Sequence, residues 1–139
     1  MNRVDAKRFS GERVLDAAAL LEAKRWHAAY YMVGYAVECG LKACVLYYIE
    51  KTGVIFQDKK FVEACFTHDI EKLVRAAGLE ANRGLDIRSN QQRSDHWQTV
   101  KDWNVDVRYQ EKTESEARKL YDAITDATNG VLPWIKTQW

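Results

Sequence analysis

The sequence predicts an all-α protein, an up-and-down bundle of about five to six helices that forms one domain over residues 1–139. Two observations carry this prediction. The 139 residues include one proline and seven glycines, and long stretches without these residues favour helices over the turn-rich sequences of β-sandwiches and barrels. Hydrophobic residues make up 47% of the chain and charged residues 29%, which is typical of a globular domain with one core.

The first two helices follow from capping residues and apolar spacing. Ser10 is predicted to cap a first helix that ends near Ala23. The second helix is predicted from about Lys24 to Lys51, and Thr52-Gly53 stops it. Its apolar part is long enough to cross a membrane, but two mid-span charges would each cost about 2.5–3.5 kcal/mol there. We therefore expect a buried core helix and no contact with a membrane.

The middle of the chain is predicted to hold three shorter helices. The third runs from about Asp58 to Phe66. Thr67 caps the fourth, which has Asp69 in its first turn and ends at Gly78. The polar stretch from Leu79 to Asp95 is expected to be either a mobile segment or the frayed start of a fifth helix, which itself spans about Ser94 to Trp103.

The last helix begins at a capping box. Thr113 and Glu116 have the spacing in which a threonine and a glutamate satisfy each other's backbone N–H groups. Helical apolar spacing continues as far as Ala127. Asn129-Gly130 and Pro133 are expected to bend or break this helix before the chain ends.

Charge and cysteine content limit the function classes. Lys and Arg number 21 against 20 Asp and Glu, for a net charge of +1. This balance excludes a generally basic binder of nucleic acid or membranes and leaves only a local patch open. Three cysteines without CxxC spacing are expected as core residues in a reducing cytoplasm. Met1 to Ser10 is charged, and no secretory signal is expected.

The second helix carries a polar stripe on one face. Tyr31, Tyr35, Glu38 and Lys42 follow one another at helical spacing, within about 60° around the axis. Glu38 and Lys42 are either a partly exposed pair worth about 0.3–0.5 kcal/mol or a buried carboxylate that requires partners. Gly34 leaves room for another backbone or a ligand to approach this helix.

Three sequence elements resemble HEPN-domain proteins (higher eukaryotes and prokaryotes nucleotide-binding). The run Ala28–Ala43 (AAYYMVGYAVECGLKA) is similar to the signature helix of that family. Thr67-His68-Asp69-Ile70-x-x-Leu73 is similar to its "THdL..L" element, and Trp103–Tyr109 (WNVDVRY) to its "W…RY" element. The elements occur in the family's order and span nearly the whole chain.

The resemblance implies a helical bundle that pairs as a homodimer and binds a nucleotide or RNA. We expect no strong catalysis, because the chain lacks the Arg–His spacing of the family's ribonucleases. Family members include ribonucleases, and toxins or partners of a small nucleotidyltransferase in toxin–antitoxin or defence loci. The positions that match the shared elements are Glu38, Lys42, His68, Asp69, Arg108 and Tyr109. We expect them in one polar cluster with Tyr35, in which Arg108 pairs with Glu38 or Asp69. A purely structural network is the alternative.

An endoribonuclease is the alternative function. The ribonuclease branch of the family carries an Arg followed four to six residues later by a His, and this spacing is absent here. Arg88, Arg93 and His96 are the nearest candidates for a degenerate, metal-independent version, with a solvated helix face as the other interpretation. A structural module that acts only through its dimer face also stays open. The sequence has neither zinc-ligand spacing nor a phosphate loop, and no metal or cofactor is expected.

Overall fold

The longest helix lies at the centre of the fold, and the other elements pack around it. The computed structural model describes residues 1–53 and 59–139, which contain eight α-helices, one 3₁₀ helix and no strand. The all-α prediction is confirmed, with more helices than expected. Their bounds are α1 (Arg3–Glu22), α2 (Trp26–Thr52), α3 (Lys59–Cys65), α4 (Ile70–Ala76), α5 (Glu80–Ser89), α6 (Gln91–Val100), the 3₁₀ helix (Val105–Tyr109), α7 (Glu114–Thr125) and α8 (Val131–Lys136).

Helices α1 and α2 form an antiparallel hairpin whose start differs from the prediction. Asn2 caps α1 through a capping box with Asp5, and so α1 begins well before Ser10. The Ser10 side chain is wholly buried and donates a hydrogen bond of 2.7 Å to the carbonyl oxygen of Ala36. The prediction was wrong because this hydroxyl joins α1 to α2 instead of capping its own helix. Gly53 ends α2 in the left-handed conformation with φ 68°, as predicted.

The connection between α3 and α4 holds the next departure. Asp58 lies outside the described residues, and α3 is described from Lys59. Asp69 is the cap of α4 rather than a first-turn residue, because its side chain accepts from the backbone N–H of Lys72. Thr67, the predicted cap, instead accepts from the backbone N–H of Asp69. The helix therefore starts two residues later than the sequence indicated.

The polar stretch after α4 is ordered as helix. It contains α5 and the start of α6, which Asn90 caps from the preceding turn. Ion pairs stabilise it: Arg93 donates to Asp86 at 2.6 Å, and Arg83 donates twice to Glu71. The sequence reasoning missed α5 because its stability comes from these pairs rather than from a continuous apolar face.

The last part of the chain agrees with the prediction except at Pro133. This proline lies in the first turn of α8 and does not break it, because a proline is tolerated there. The capping box of Thr113 and Glu116 begins α7, and the break at Asn129-Gly130 separates α7 from α8. Helix α7 ends at Thr125, so Ala127 lies beyond it. A side chain at position 130 would overlap the carbonyl oxygen of Asp126, which explains a glycine there.

Helix α2 supplies most of the core. Its length and composition would suit a membrane span, but 61% of its most apolar stretch is buried inside the fold. Cys39 and Cys44 are buried in it, as expected, and burial raises the pKa of their thiols to about 11 and about 12. The helix also carries the one charged side chain that is fully buried in the described ranges, Glu38.

Candidate functional site

The candidate site is built around Glu38, whose exposed fraction is 0%. One carboxylate oxygen, Oε1, accepts from Lys42 Nζ at 2.7 Å and from His68 Nδ1 at 2.9 Å. The Lys42 side chain is 19% exposed and that of His68 is 54% exposed. We call these three residues the Glu38 cluster. They run from the core to the surface, which corresponds to the buried-carboxylate interpretation of the polar stripe.

Two elements bring the cluster together. Lys42 follows Glu38 by one helical turn on α2, so this pair is set by local geometry. His68 arrives from the connection between α3 and α4, 30 residues away in sequence. The Asp69 cap and the Thr67 hydroxyl fix the backbone on either side of this histidine.

The cluster also fixes the orientation of the imidazole. An ionised carboxylate only accepts hydrogen bonds, so Nδ1 of His68 carries the proton that it shares with Glu38. The other ring nitrogen, Nε2, has no hydrogen-bond partner within the described ranges. Lys42 compensates the buried negative charge of Glu38. Without Lys42, the carboxylate would be costly to bury. Arrangements of this type can hold an anion or accept a proton.

An apolar cavity of about 290 Å³ adjoins the cluster. Lys42 lies in its wall, and the remaining wall is largely apolar, from α2 (Val45, Leu46, Ile49), from α3 and its end (Cys65, Phe66), and from Met1. The Phe66 side chain is 76% exposed at this edge. A cation thus stands beside a space that suits a flat apolar group.

Arg108 and Tyr109 do not join the cluster, which corrects the expected pairing. Both are exposed, with the Arg108 guanidinium 4.9 Å from the centre of the Tyr109 ring. Within the described ranges, Arg108 makes no hydrogen bond or ion pair with Glu38 or Asp69. The reason is local: Val107 is buried in this 3₁₀ helix, and its neighbour points outward.

The glycine on the polar stripe receives a tryptophan instead of a ligand. A Cβ on Gly34 would overlap the indole of Trp103. Tyr31 stacks on Trp103 at 5.8 Å between ring centres, and Tyr35 stacks on Tyr31 at 6.1 Å. Burial, followed by the nearby Cys39 and Glu38, raises the pKa of Tyr35. The first and third family-like elements therefore meet at Gly34 and Trp103.

Arg88, Arg93 and His96 lie on the α5–α6 hairpin without forming a shared site. Arg88 is exposed, whereas Arg93 is 13% exposed and donates to Asp86 and to the Thr128 carbonyl oxygen. His96 Nδ1 donates to the Asn129 carbonyl oxygen at 2.9 Å. Arg93 therefore serves a structural contact with the α7–α8 loop.

His96 also lines a groove of about 900 Å³ between α6 and α7. Three carboxylates, Asp95, Asp102 and Asp122, share this groove with Lys119. Their excess of negative charge opposes the entry of a phosphate. Nδ1 of His96 is used by the Asn129 carbonyl oxygen, so Nε2 is the ring nitrogen left for a ligand.

Sequence reasoning missed two features. Asn129 bonds to Asn90 and Gln92 of the α5–α6 hairpin, and only the Asn-Gly break signal marked its position. A groove beside α3 and α4 carries lysines at positions 60 and 72 and an arginine at 75. The spacing of Lys72 and Arg75 on one helix face was the available signal for it.

The described residues do not form a metal site. In residues 1–53 and 59–139, no three His, Cys, Asp or Glu side chains are grouped closely enough to hold a metal ion.

The chain was compared with known proteins and structures. No family model, curated protein or solved structure matches the chain.

Proposed function

We propose that the protein binds a phosphate-bearing ligand, a nucleotide or nucleic acid, at the Glu38 cluster, and that it does so without strong catalysis. The observation that carries this proposal is that Lys42 and His68 share one oxygen of a fully buried carboxylate. Both donors are thereby held in place, and Lys42 also lines the apolar cavity. Preorganised donors beside an apolar space suit a ligand with an anionic and a flat apolar part.

Lys42 supplies the donors for an anion. Its ammonium group carries three N–H donors, and its one hydrogen bond within the described ranges is to Glu38. The other N–H groups can therefore donate to a phosphate. A base in the adjoining cavity would stack against Phe66, and stacking on an aromatic ring tolerates any base.

The resemblance to HEPN-domain proteins supports the same function. By that resemblance we also propose a homodimer and a small nucleotidyltransferase as protein partner in a toxin–antitoxin or defence locus, in the cytoplasm. The reading frame next to the gene is the direct check on that partner: a minimal nucleotidyltransferase there favours the locus type, and its absence contradicts it.

The binding test uses a nucleotide panel and labelled RNA with two site variants. Phe66→Ala is expected to weaken binding about 5- to 150-fold, because an aromatic stacking contact is worth about 1–3 kcal/mol. His68→Ala is also expected to weaken binding, because it removes one of the two side chains that bond to Glu38. Leu85→Ala is the matched control, since Leu85 is a 62% exposed apolar residue on α5. Thermal melts of each variant separate lost binding from lost folding. Unchanged binding in both site variants would contradict the proposal.

An endoribonuclease centred on His96 is the second candidate. The observation in its favour is the imidazole of His96, which the Asn129 carbonyl oxygen orients and which lines a groove of about 900 Å³. The acidic groove and the structural role of Arg93 oppose it. A gel assay of RNA with the wild type, His96→Ala and Arg93→Ala tests it: wild-type cleavage that disappears in the variants would promote this candidate over the binding protein.

A further inference from the structure

A groove of about 770 Å³ lies between α3 and α4, and none of its lining residues belongs to the Glu38 cluster. Each of the two helices contributes a lysine and, one turn later, an alanine: Lys60 and Ala64 on α3, and Lys72 and Ala76 on α4. Residues four apart lie on the same face of a helix. The groove is therefore bordered by two helix faces that each combine one cation with a small apolar side chain.

Helix α3 is lightly covered by the rest of the described chain. None of its seven residues is buried, and it packs chiefly on α4. Phe61, which also lines the groove, contacts Tyr48 of α2 with 6.3 Å between the ring centres. This contact anchors α3 to the central helix. The wall that α3 gives to the groove is thus held in position while its apolar side chains stay accessible.

The charges of the groove leave two lysines without a counter-charge. Glu63 lies 3.8 Å from Lys59, and Arg75 pairs with the first glutamate of α5. Lys60 and Lys72 are exposed, and neither forms an ion pair with a carboxylate of the described residues. One uncompensated positive charge therefore stands on each helix, in a chain whose net charge is only +1.

We infer that this groove docks an amphipathic helix of a protein partner, with Asp and Glu residues beside its apolar face. The apolar face enters between α3 and α4, as in other complexes in which a helix lies in a groove. The acidic residues meet Lys60 and Lys72, and this complementarity fixes the orientation of the partner and disfavours basic helices. The inference is independent of the ligand proposed for the Glu38 cluster.

The shape of the surface favours a helix over a membrane. The lysines and apolar side chains line a groove between two helices, whereas an amphipathic membrane anchor lays one outward apolar face into the lipid. A helix with its side chains is about 10–12 Å wide. Since α3 and α4 have seven residues each, the groove is about 10 Å long. About two turns of a partner helix fit along it.

The test selects the partner's chemistry from a displayed peptide library. The peptides are helices of about four turns, with apolar residues fixed at i, i+3, i+4 and i+7 and the flanking positions randomised. Selection on the wild type should enrich Asp and Glu at the flanks. The selected peptides should bind Lys60→Glu/Lys72→Glu about tenfold or more weakly, because like charges then face each other. Lys101→Glu/Lys119→Glu changes the net charge equally at two exposed lysines outside the groove and should keep the affinity.

A charge swap separates recognition from misfolding. Peptides in which lysine replaces the selected acidic residues should bind Lys60→Glu/Lys72→Glu more tightly than the wild type, a gain that an unfolded variant cannot give. Flanks without acidic enrichment, or equal losses in the two double variants, overturn the inference. Binding of the wild type to anionic phospholipid vesicles that Lys60→Glu/Lys72→Glu abolishes also overturns it, since the lysines then serve a membrane. None of these results alters the test of the Glu38 cluster.

Discussion

Glu38 is a charged residue at a buried core position, and its hydrogen-bond partners determine the free-energy cost of burying its carboxylate. Lys42 compensates its charge, and His68 uses the same oxygen. Its second oxygen is buried and has no hydrogen-bond partner within the described ranges. The residue therefore has little tolerance for losing either partner.

The first prediction concerns the stability that Lys42 contributes. Lys42→Ala leaves a buried carboxylate without its compensating charge, so we expect a loss of about 3–5 kcal/mol in the free energy of unfolding. Urea denaturation measures this loss. The matched control is Arg118→Ala, which removes an exposed pair with Glu114 at the same i,i+4 spacing and should change stability little. Similar losses in the two variants would contradict the buried-pair interpretation.

The second prediction concerns the three thiols. Burial raises the pKa of Cys39 to about 11 and of Cys44 to about 12, while Cys65 is only partly buried and its pKa is raised less. The thiolate is the reactive form, and a raised pKa keeps its population low until the pH approaches that value. At mildly alkaline pH, a thiol reagent should therefore label Cys65 first in the folded protein. Equal labelling of all three residues without denaturant would contradict this order.

At the scale of elements, α2 makes a close contact with the residues that follow α6. Gly34 has no side chain, and the Trp103 indole fills that space. The surface of α2 and the position of Trp103 are therefore matched, and a change in one requires a change in the other.

The third prediction compares two helical glycines. Gly34→Ala places a methyl group inside the Trp103 ring, so we expect a loss of about 1–3 kcal/mol by overpacking. Gly11→Ala on α1 meets no atom within 4 Å and should raise stability by about 0.5–1 kcal/mol, because alanine favours a helix over glycine. Thermal melts of both variants measure the difference. Equal changes of the same sign would show that Trp103 does not occupy this space in solution.

Some elements could be predicted from the sequence and others could not, because some depend on local contacts and others on distant ones. The capping box of Thr113 and Glu116 is a local rule, and it correctly marked the start of α7. The stop at Gly53 was likewise local. Ser10 failed because its hydroxyl bonds to another helix, and α5 was missed because ion pairs with other elements stabilise it. Glu38 and His68 were placed together by resemblance, whereas Arg108 faces outward with its turn of 3₁₀ helix.

At the scale of the whole molecule, the exposed apolar side chains bear on the association state of the protein. The homodimer is an expectation from the resemblance to HEPN-domain proteins. In the fold, α1, α4, α7, α8 and the 3₁₀ helix cover α2 within one chain. Large apolar side chains nevertheless remain on the surface, among them Leu15 at 70% and Leu85 at 62% exposed, and such surface favours association.

The fourth prediction is therefore a homodimer in solution. One chain has a mass of 16.1 kDa, and light scattering across a concentration series should give about twice this mass. Leu15→Asp and Leu85→Asp, made separately, identify the face that associates, because a buried charge at the interface disrupts the dimer. A mass that stays near 16.1 kDa at all concentrations would contradict the prediction.

The two partners of Glu38 lie four and 30 residues from it in the sequence. The two hydrogen bonds are therefore expected to form at different stages of folding. Lys42 can meet the carboxylate as soon as α2 forms, whereas His68 arrives only after α3 and α4 have docked. Local contacts form before distant ones because a longer loop must close. In a refolding chain, Glu38 therefore pairs with Lys42 before His68 completes the Glu38 cluster. In stopped-flow refolding, recovery of ligand binding should lag behind recovery of helical circular dichroism.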